Sequence, residues 1–357
     1  MPFTAKPIIG GDAFDQACRI GLDADAELAG IADAAEQAAC LRRYWDAIAE
    51  LGWITTAIAE DAGGAGGDLS DLAALAGGAG RGGLPLPVVA SCAVLPHLLA
   101  EHAEVLTALA EGRFRIALIP AEAARDDEAD ALHLDGGRLT GAAVGIETPP
   151  DPTHALVVLG DALLLVAADA PGVALTRYQR IDGKPAADWR FTGAAASVIA
   201  RGDAVLRRAA EARDIGALLT CVESVSAAGA LIEQTIEYLL NRVQFGVPLA
   251  THQALRHRVA EMYVEYENLR GLVTHALRSA ASGGPVVWRD IAFAKLRLGE
   301  AGRFIAQSTI QCHGGMGMTE GLQAIRLARR IMMAEFEYGD RSVQARRLLD
   351  DAARRAA

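Results

Sequence analysis

The segment RVQFGVPLATHQ, residues 242–253, interrupts a long helical pattern and is the most informative part of the sequence. A Phe-Gly-x-Pro turn separates Arg242, at the end of one helix, from Gln253, in the first turn of the next. Arg suits a diphosphate, because its planar fork donates two hydrogen bonds to phosphate oxygens. Phe245 offers a ring for stacking, and Gln253 an amide for a base or ribose. The alternative interpretation is an ordinary corner between two helices, with a salt-bridged Arg and a Phe in the core.

A second glycine-rich segment, QCHGGMGMTEG, occupies residues 311–321. Its glycines follow a helix and let the backbone come close to a partner, so its amides can bind a nucleotide with help from Gln311 or His313. The alternative is a helix C-cap followed by a loop. His313 has no second metal ligand at helical spacing, so we expect no metal site.

Helical periodicity surrounds both segments and predicts an antiparallel helix bundle from about residue 203 onward. One apolar stripe precedes Arg242, a second follows Gln253 and ends at Gly283-Gly284-Pro285, and a third helix covers about 288–312. Two shorter helices flank Tyr338-Gly339. The first stripe consists of Ile215, Leu218, Val222, Val225, Leu231, Thr235, Leu239 and Val243.

The part of the chain from about residue 11 to 112 is rich in Ala and mostly helical in pattern. Two glycine runs, EDAGGAGGDLSD at 60–71 and GGAGRGGLPLP at 77–87, interrupt that pattern. We interpret both as loops, because glycine is a poor helix former and the second run ends in prolines.

From about residue 113 to 200 the pattern becomes strand-like. FRIALIPA has the length of a strand, and Asp135-Gly136-Gly137 and Gly160-Asp161 lie between short apolar runs, as hairpin turns do. The fold class we expect is α+β, mainly α. The expected domains are a helical domain at 1–112, an antiparallel β domain at 113–202 and a helical bundle at 203–357.

Composition excludes several classes of protein. A chain of 357 residues with 52% hydrophobic residues can bury a large core, and a net charge of −11 argues against a nucleic-acid surface. The five cysteines are widely spaced and lack a CxxC pair, so we expect reduced thiols without structural zinc. No signal peptide and no transmembrane helix are expected, which favours a cytoplasmic protein without a membrane partner.

Taken together, the two C-terminal segments, about 60 residues apart, resemble the acyl-CoA dehydrogenase family. LGWITTAIAEDAGGAGGDLSD (51–71), GGRLTGAAVGIETPPDPTHALVV (136–158) and IDGKPAADWRF (181–191) are similar to further segments of that family. The resemblance covers about residues 11 to 350. It implies an N-terminal helical domain, a middle β domain and a C-terminal four-helix bundle, assembled as dimers or tetramers.

The resemblance also implies FAD bound at a subunit interface, an acyl-CoA substrate and an electron-transfer flavoprotein as electron acceptor. In the family, a carboxylate removes the α-proton while the β-hydrogen leaves as hydride to the flavin. The residues carried over by motif to the FAD diphosphate and adenine end are Arg242, Gln244, Phe245, His252 and Gln253. Those carried over to the FAD of a neighbouring subunit are Gln311, Cys312, His313, Gly314 and Gly315.

The segment AEFEYGDRS, residues 334–342, resembles the place where many members carry the catalytic base. The base must be a desolvated carboxylate with a raised pKa. The aligned residue is Tyr338, a phenol whose ordinary pKa of about 10 makes it a poor base at neutral pH. Glu337, one residue earlier, and Asp340 are the weak substitutes, and Glu335 is interpreted as a solvated helix residue.

Two further positions depart from the family pattern. Other members carry the base on the long helix, 26 residues before Arg242, where this chain has Gly216. Glu223 lies two turns further along and is a distant substitute. The segment IPAEAARDDEAD, at 119–130, replaces a flavin-contacting loop and lacks its Thr and glycines.

Two main hypotheses follow. One is a self-sufficient, homo-oligomeric acyl-CoA dehydrogenase that uses Glu337 or Asp340 as its base. The other, which we favour, is a non-catalytic subunit of a heteromeric dehydrogenase, supplying one wall of a partner's FAD site. Such pairs often act on bulky or unusual acyl-CoAs, such as steroid side chains or dicarboxylates. An unrelated interaction role is the third alternative.

Overall fold

A computed structural model describes residues 3–120, 130–282 and 287–356 of the chain. The chain divides into two compact units. The first contains Met1–Ala32, Leu69–Leu84 and Asp214–Ala357, and the second contains Asp33–Asp68 and Pro85–Arg213. The boundaries predicted for three domains stay a prediction.

The described helices are α1 (Asp12–Ala29), α2 (Ala34–Glu50), α3 (Leu69–Gly82), α4 (Leu95–Leu99), α5 (Ala103–Ala110), α6 (Asp203–Asn241), α7 (Gln253–Ser282), α8 (Val287–His313), α9 (Gln323–Ala334) and α10 (Arg341–Ala356). Short 3-10 helices cover Glu60–Ala62, Leu249–Thr251 and Gly314–Met318, and a π-helical turn covers Ala90–Val94. The long helices predicted on either side of residues 242–253 are therefore confirmed. The predicted stop at Gly283-Gly284-Pro285 lies outside the described residues.

The apolar stripe predicted for the first long helix lines the interior of the bundle. Leu218, Val222 and Val225 are each 1% exposed, and Leu231 and Thr235 are fully buried. The Thr235 hydroxyl lies 3.4 Å from the Thr309 hydroxyl of α8, which links the two helices. Val243 departs from the stripe and is 53% exposed, because α6 ends at Asn241 and the side chain no longer follows the helical face.

The interpretation of residues 77–87 as a loop was wrong for its first half, because α3 runs through Gly82. These glycines permit close helix packing. A Cβ atom added at Gly80 would lie 2.1 Å from the carbonyl oxygen of Glu223 on α6, and one at Gly78 would lie 2.3 Å from the carbonyl oxygen of Phe14 on α1. Only glycine allows such approaches, so tertiary packing outweighs the low helix propensity of glycine.

Ten strands are described: β1 (Ile116–Ile119), β2 (His133–Asp135), β3 (Arg138–Glu147), β4 (His154–Leu159), β5 (Ala162–Ala167), β6 (Val173–Gln179), β7 (Pro185–Ala195), β8 (Ser197–Arg201), β9 (Val243–Gln244) and β10 (Val247–Pro248). Two four-stranded sheets have the orders β1-β4-β5-β8 and β2-β3-β7-β6. All their pairs are antiparallel except β1 with β4.

The two sheets of the second unit share one apolar core. It contains Val157 and Leu164 from one sheet and Leu139 and Trp189 from the other, all fully buried. The predicted hairpin turns are confirmed: Gly136, Gly137 and Gly160 have φ angles of 53°, 78° and 57°, which glycine adopts without steric cost.

One helix among the described residues, α6, is long and apolar enough to cross a membrane by length and composition alone. The qualifying window is 89% buried inside the protein. A core helix meets the same test, so the finding is weak evidence for a membrane span. All five cysteines are free thiols.

Candidate functional site

The first segment singled out in the sequence forms a projecting hairpin. Strand β9 pairs with β10, and the turn between them consists of Phe245 and Gly246, with φ angles of 54° and 81°. The amide of Leu249 donates to the carbonyl oxygen of Arg242 over 2.8 Å and closes the hairpin. Every residue from 240 to 248 is exposed.

Phe245 is the extreme case in this hairpin, because its side chain is 90% exposed. A positive φ is strained for a bulky side chain and costs of order 1–3 kcal/mol, so the surroundings must hold it in place. An exposed ring gains little from its own chain. The ring is therefore a candidate contact for a ligand or another chain.

A pocket of about 370 Å³ lies beside the hairpin, within the first unit. Arg242 from the first segment and His313 from the second both line it, so the fold brings the two segments together. The His313 ring stacks on Tyr238 of α6, with 4.4 Å between ring centroids. The Tyr238 hydroxyl also donates to the carbonyl oxygen of His313 over 3.4 Å.

Sequence reasoning missed most of the polar lining of this pocket. Gln234, Glu237, Tyr238 and Asn241 line it at i, i+3, i+4 and i+7 of α6. That spacing was a usable signal, because it marks a polar face on the last turns of a helix that is otherwise apolar. Gln323 at the start of α9 also lines the pocket and accepts a 2.7 Å hydrogen bond from Gln234.

His313 is 4% exposed, and its Nδ1 lies 2.8 Å from the carbonyl oxygen of Thr309. A carbonyl only accepts, so Nδ1 carries the proton. Burial lowers the pKa of His313, with a smaller opposing effect from the Thr309 hydrogen bond. The neutral ring can then accept a hydrogen bond at Nε2.

The glycines of the second segment have different tasks. A Cβ atom added at Gly314 or Gly315 would meet nothing within 4 Å, so this backbone faces open space. A Cβ atom at Gly317 would lie 2.3 Å from the carbonyl oxygen of Ile310, so Gly317 is needed for packing. Gln311 is exposed. Cys312 is buried, and burial raises the pKa of its thiol to about 11, which leaves its backbone as the useful group.

His252 and Gln253 complete the predicted set. The His252 ring meets Phe245 edge to face, with 6.1 Å between centroids. Its Nε2 atom is buried without a hydrogen-bond partner. Gln253 is the exposed first residue of α7. An exposed guanidinium, an exposed ring, open glycine backbone and an unused imidazole nitrogen suit a ligand that carries both phosphate and a flat ring system.

The prediction that Glu335 is a solvated helix residue was wrong. Glu335 is 5% exposed, and its carboxylate accepts from Arg303 at 2.8 Å and from Arg341 at 2.6 Å. The turn after α9 folds back so that arginines of α8 and α10 converge on it. Both guanidinium groups bind this carboxylate, so Glu335 acts as a structural anchor of the turn.

The remaining base candidates lie in the turn between α9 and α10. The Asp340 carboxylate accepts from the amide of Val343 over 2.9 Å and caps the first turn of α10. Glu337 is half-buried, and its charge acts to raise the pKa of the buried Lys295 against the larger lowering by desolvation. The Tyr338 ring lies directly against Gly216 of α6. Glu223 packs with its Cγ against Gly80 of α3.

Family models of acyl-CoA dehydrogenases match most of the chain. The N-terminal domain of the family matches residues 23–104, and the C-terminal domain matches residues 206–352. Acyl-CoA dehydrogenase IpdE2 of Mycobacterium tuberculosis is 31% identical over 270 residues, which are 76% of this chain and 74% of that protein.

Solved structures share the same fold over nearly the whole chain. The Tcur3481–Tcur3483 steroid ACAD variant matches with a TM-score of 0.79 and 25% identity, covering 96% of this chain and 98% of that one. The ChsE4–ChsE5 complex of Mycobacterium tuberculosis matches with a TM-score of 0.80 and 22% identity, covering 98% and 99%. The chain belongs to the acyl-CoA dehydrogenase family, whose members are oxidoreductases acting on the CH–CH bond of acyl-CoA thioesters.

Proposed function

We propose that this chain is one subunit of a heteromeric, FAD-dependent acyl-CoA dehydrogenase and that its partner carries the catalytic base. The observation that carries this proposal is an asymmetry within the chain. The hairpin and pocket expose groups suited to a dinucleotide, whereas the usual base positions hold Gly216 and Tyr338. The names of two structural neighbours, each joining two differently named chains, support a two-chain assembly.

The groups around the hairpin and pocket fit FAD. Arg242 would pair with the diphosphate, and the amides at Gly314 and Gly315, with no Cβ in the way, would let the cofactor approach closely. Phe245 and the unpartnered Nε2 of His252 would meet its ring systems. Bound FAD supplies the acceptor for the β-hydride. This chain's residues would bind and orient the cofactor and exclude water from it.

The carboxylates near the base position are engaged in structure. Asp340 caps α10, and Glu335 is held by Arg303 and Arg341. A general base needs a carboxylate that can take up a proton next to the substrate α-carbon. Both carboxylates are already occupied by these structural contacts, which favours a base on the partner. Glu337 is the remaining candidate for the self-sufficient alternative.

The substrate class we propose is a bulky acyl-CoA of the steroid side-chain type, with an electron-transfer flavoprotein as the acceptor. The support for the substrate is the steroid ACAD neighbour, which covers 96% of this chain at 25% identity. The support for the acceptor is family membership.

The test is to purify the chain alone and after co-expression with a longer family member from the same genome that carries the base. We expect little flavin absorbance from the isolated chain and full flavin absorbance, bleached anaerobically by a steroid side-chain acyl-CoA, from the pair. A yellow isolated chain that reduces its own flavin with that substrate would overturn the proposal.

Two variants make this experiment specific. Arg242→Ala in the pair should lower the amount of bound flavin, because the diphosphate loses its guanidinium. Glu337→Gln in the pair should leave turnover unchanged. If Glu337→Gln abolishes turnover while the protein keeps its flavin, the base lies on this chain and the proposed role of the partner is wrong.

A further inference from the structure

The two positions that the family resemblance assigns to the catalytic base touch each other in this chain. A Cβ atom added at Gly216 would lie 2.5 Å from both Cδ1 and Cε1 of Tyr338 and 2.8 Å from its Cγ. Real Cβ atoms essentially never approach other atoms so closely. The ring therefore occupies the space that any side chain at position 216 would need, and the absence of a side chain there is what admits the ring.

Tyr338 is held in an unusual conformation to make this contact. Its φ is 55°, and bulky residues adopt positive φ only where the surroundings impose it. The buried Gln344 amide donates to the carbonyl oxygens of Tyr338 and Gly339 over 3.2 and 3.4 Å. Arg347 donates to the Gln344 side chain over 3.1 Å.

The same network fixes the turn to α6. Arg347 forms a bidentate pair with Asp214, at 2.8 and 3.0 Å, and Asp214 precedes Gly216 by two residues. On the other side of the turn, the buried Lys295 donates to the carbonyl oxygens of Ala334 and Glu335 over 2.6 and 2.8 Å. The turn is thus fastened at both ends, with the Tyr338 ring directed at Gly216.

We propose that Gly216 and Tyr338 form a steric lock that excludes a carboxylate from the 216 position. The ring holds this position closed, while position 338 itself carries a group that does not act as a base. The contact between Gly216 and Tyr338 does not depend on the proposed function. Only its interpretation as the exclusion of a catalytic base rests on the proposed non-catalytic role. The two positions therefore differ in what a carboxylate requires. At position 338 a single substitution introduces it, whereas at position 216 the Tyr338 ring must be replaced as well.

The first test is a double-mutant cycle on the isolated chain. Gly216→Ala should lower the thermal midpoint by roughly 3–8 °C, because the new methyl group meets the ring. In a Tyr338→Ala background the same change should be neutral or stabilising. In a Tyr338→Phe background the loss should persist, because the ring remains. Gly271→Ala is the matched control, since a Cβ there meets nothing within 4 Å.

The second test introduces carboxylates. Gly216→Glu should fold poorly alone and recover its midpoint when combined with Tyr338→Ala. Tyr338→Glu should fold like the natural chain, since Gly216 leaves the space open. The lock is overturned if Tyr338→Ala fails to rescue Gly216→Ala and Gly216→Glu.

These outcomes are separate from those that judge the proposed function. The midpoints report on the contact whether or not flavin or a partner is present. A rescued double mutant together with a catalytically active isolated chain would support the lock and reject the non-catalytic role. An unrescued double mutant together with partner-dependent flavin binding would reject the lock and support the non-catalytic role.

Discussion

At the scale of single residues, the turn 335–340 shows how neighbouring side chains acquire different tasks from their surroundings. Glu335 binds two arginines and is almost fully buried. Asp340 caps a helix. Tyr338 packs its ring against Gly216. Sequence spacing proposed three carboxylates near a base position, but only hydrogen-bond partners distinguish an anchor or a cap from a base.

Asp340 provides a prediction that separates capping from catalysis. Asp340→Ala should destabilise the chain by about 0.5–2 kcal/mol, because the amide of Val343 loses its acceptor. Asp340→Asn should be close to the natural chain in stability, since Asn is an equally good cap. The measurement is the denaturant midpoint, with turnover of the assembled enzyme as the second readout. A catalytic base would make both variants inactive.

His313 provides a prediction about acid stability. Burial lowers its pKa below the ordinary 6.5, so above that pH the imidazole is neutral in both folded and unfolded chains. Between 6.5 and the lowered pKa the unfolded chain binds more protons, so stability falls as the pH drops through this window.

His313→Asn should therefore lose less stability than the natural chain on acidification from neutral pH, while its amide can still donate to Thr309. Thermal midpoints over a pH series measure the difference. Part of the acid loss should remain in the variant, because burial also lowers the pKa values of His97, His102 and His154. Identical slopes for the variant and the natural chain would contradict the assignment.

At the scale of elements, α3 is the clearest case of packing that outweighs propensity. Gly78, Gly80 and Gly82 each place backbone against backbone of a neighbouring helix, with hypothetical Cβ distances of 2.3, 2.1 and 2.3 Å. Residue letters alone favour a loop here, since glycine costs about 1 kcal/mol relative to Ala inside a helix. The close approach to α1 and α6 makes the same residues the ones the helix requires.

Gly80→Ala should therefore destabilise the chain by about 1–3 kcal/mol or more, although Ala is the better helix former. The physical reason is the clash of the new methyl group with the carbonyl oxygen of Glu223. Gly271→Ala on the exposed face of α7 is the control and should stabilise by up to about 1 kcal/mol. The measurement is the denaturant midpoint of each variant. Equal changes in stability for Gly80→Ala and Gly271→Ala would contradict the packing argument.

At the scale of the whole molecule, the hairpin after α6 exposes two apolar side chains. Phe245 is 90% exposed and Val243 is 53% exposed. The backbone of Phe245 has a positive φ angle of 54°. These two apolar side chains lie close together in one short hairpin, within the segment carried over to the cofactor site. The hairpin is therefore where we expect assembly and cofactor binding to be coupled.

Phe245→Asp should weaken assembly of the co-expressed pair and lower its flavin content in parallel, because a charge replaces the ring at the covered surface. Leu349→Asp, at a residue on α10 that is 70% exposed, is the matched control and should do neither. Sedimentation velocity measures assembly, and absorbance measures flavin. An unchanged complex with Phe245→Asp would remove the hairpin from the interface.

The sequence by itself determined the family, the order of helices and strands, the hairpin turns and the segments near the candidate pocket. Those features are local, because helical period, glycine at positive φ and the Arg-x-x-Phe-Gly turn are written in neighbouring residues. Only the tertiary structure decided that Glu335 is buried between arginines, that α3 is helical through its glycines and that Tyr338 lies on Gly216. Each of these features depends on contacts between residues far apart in sequence, and a local sequence pattern does not predict such contacts.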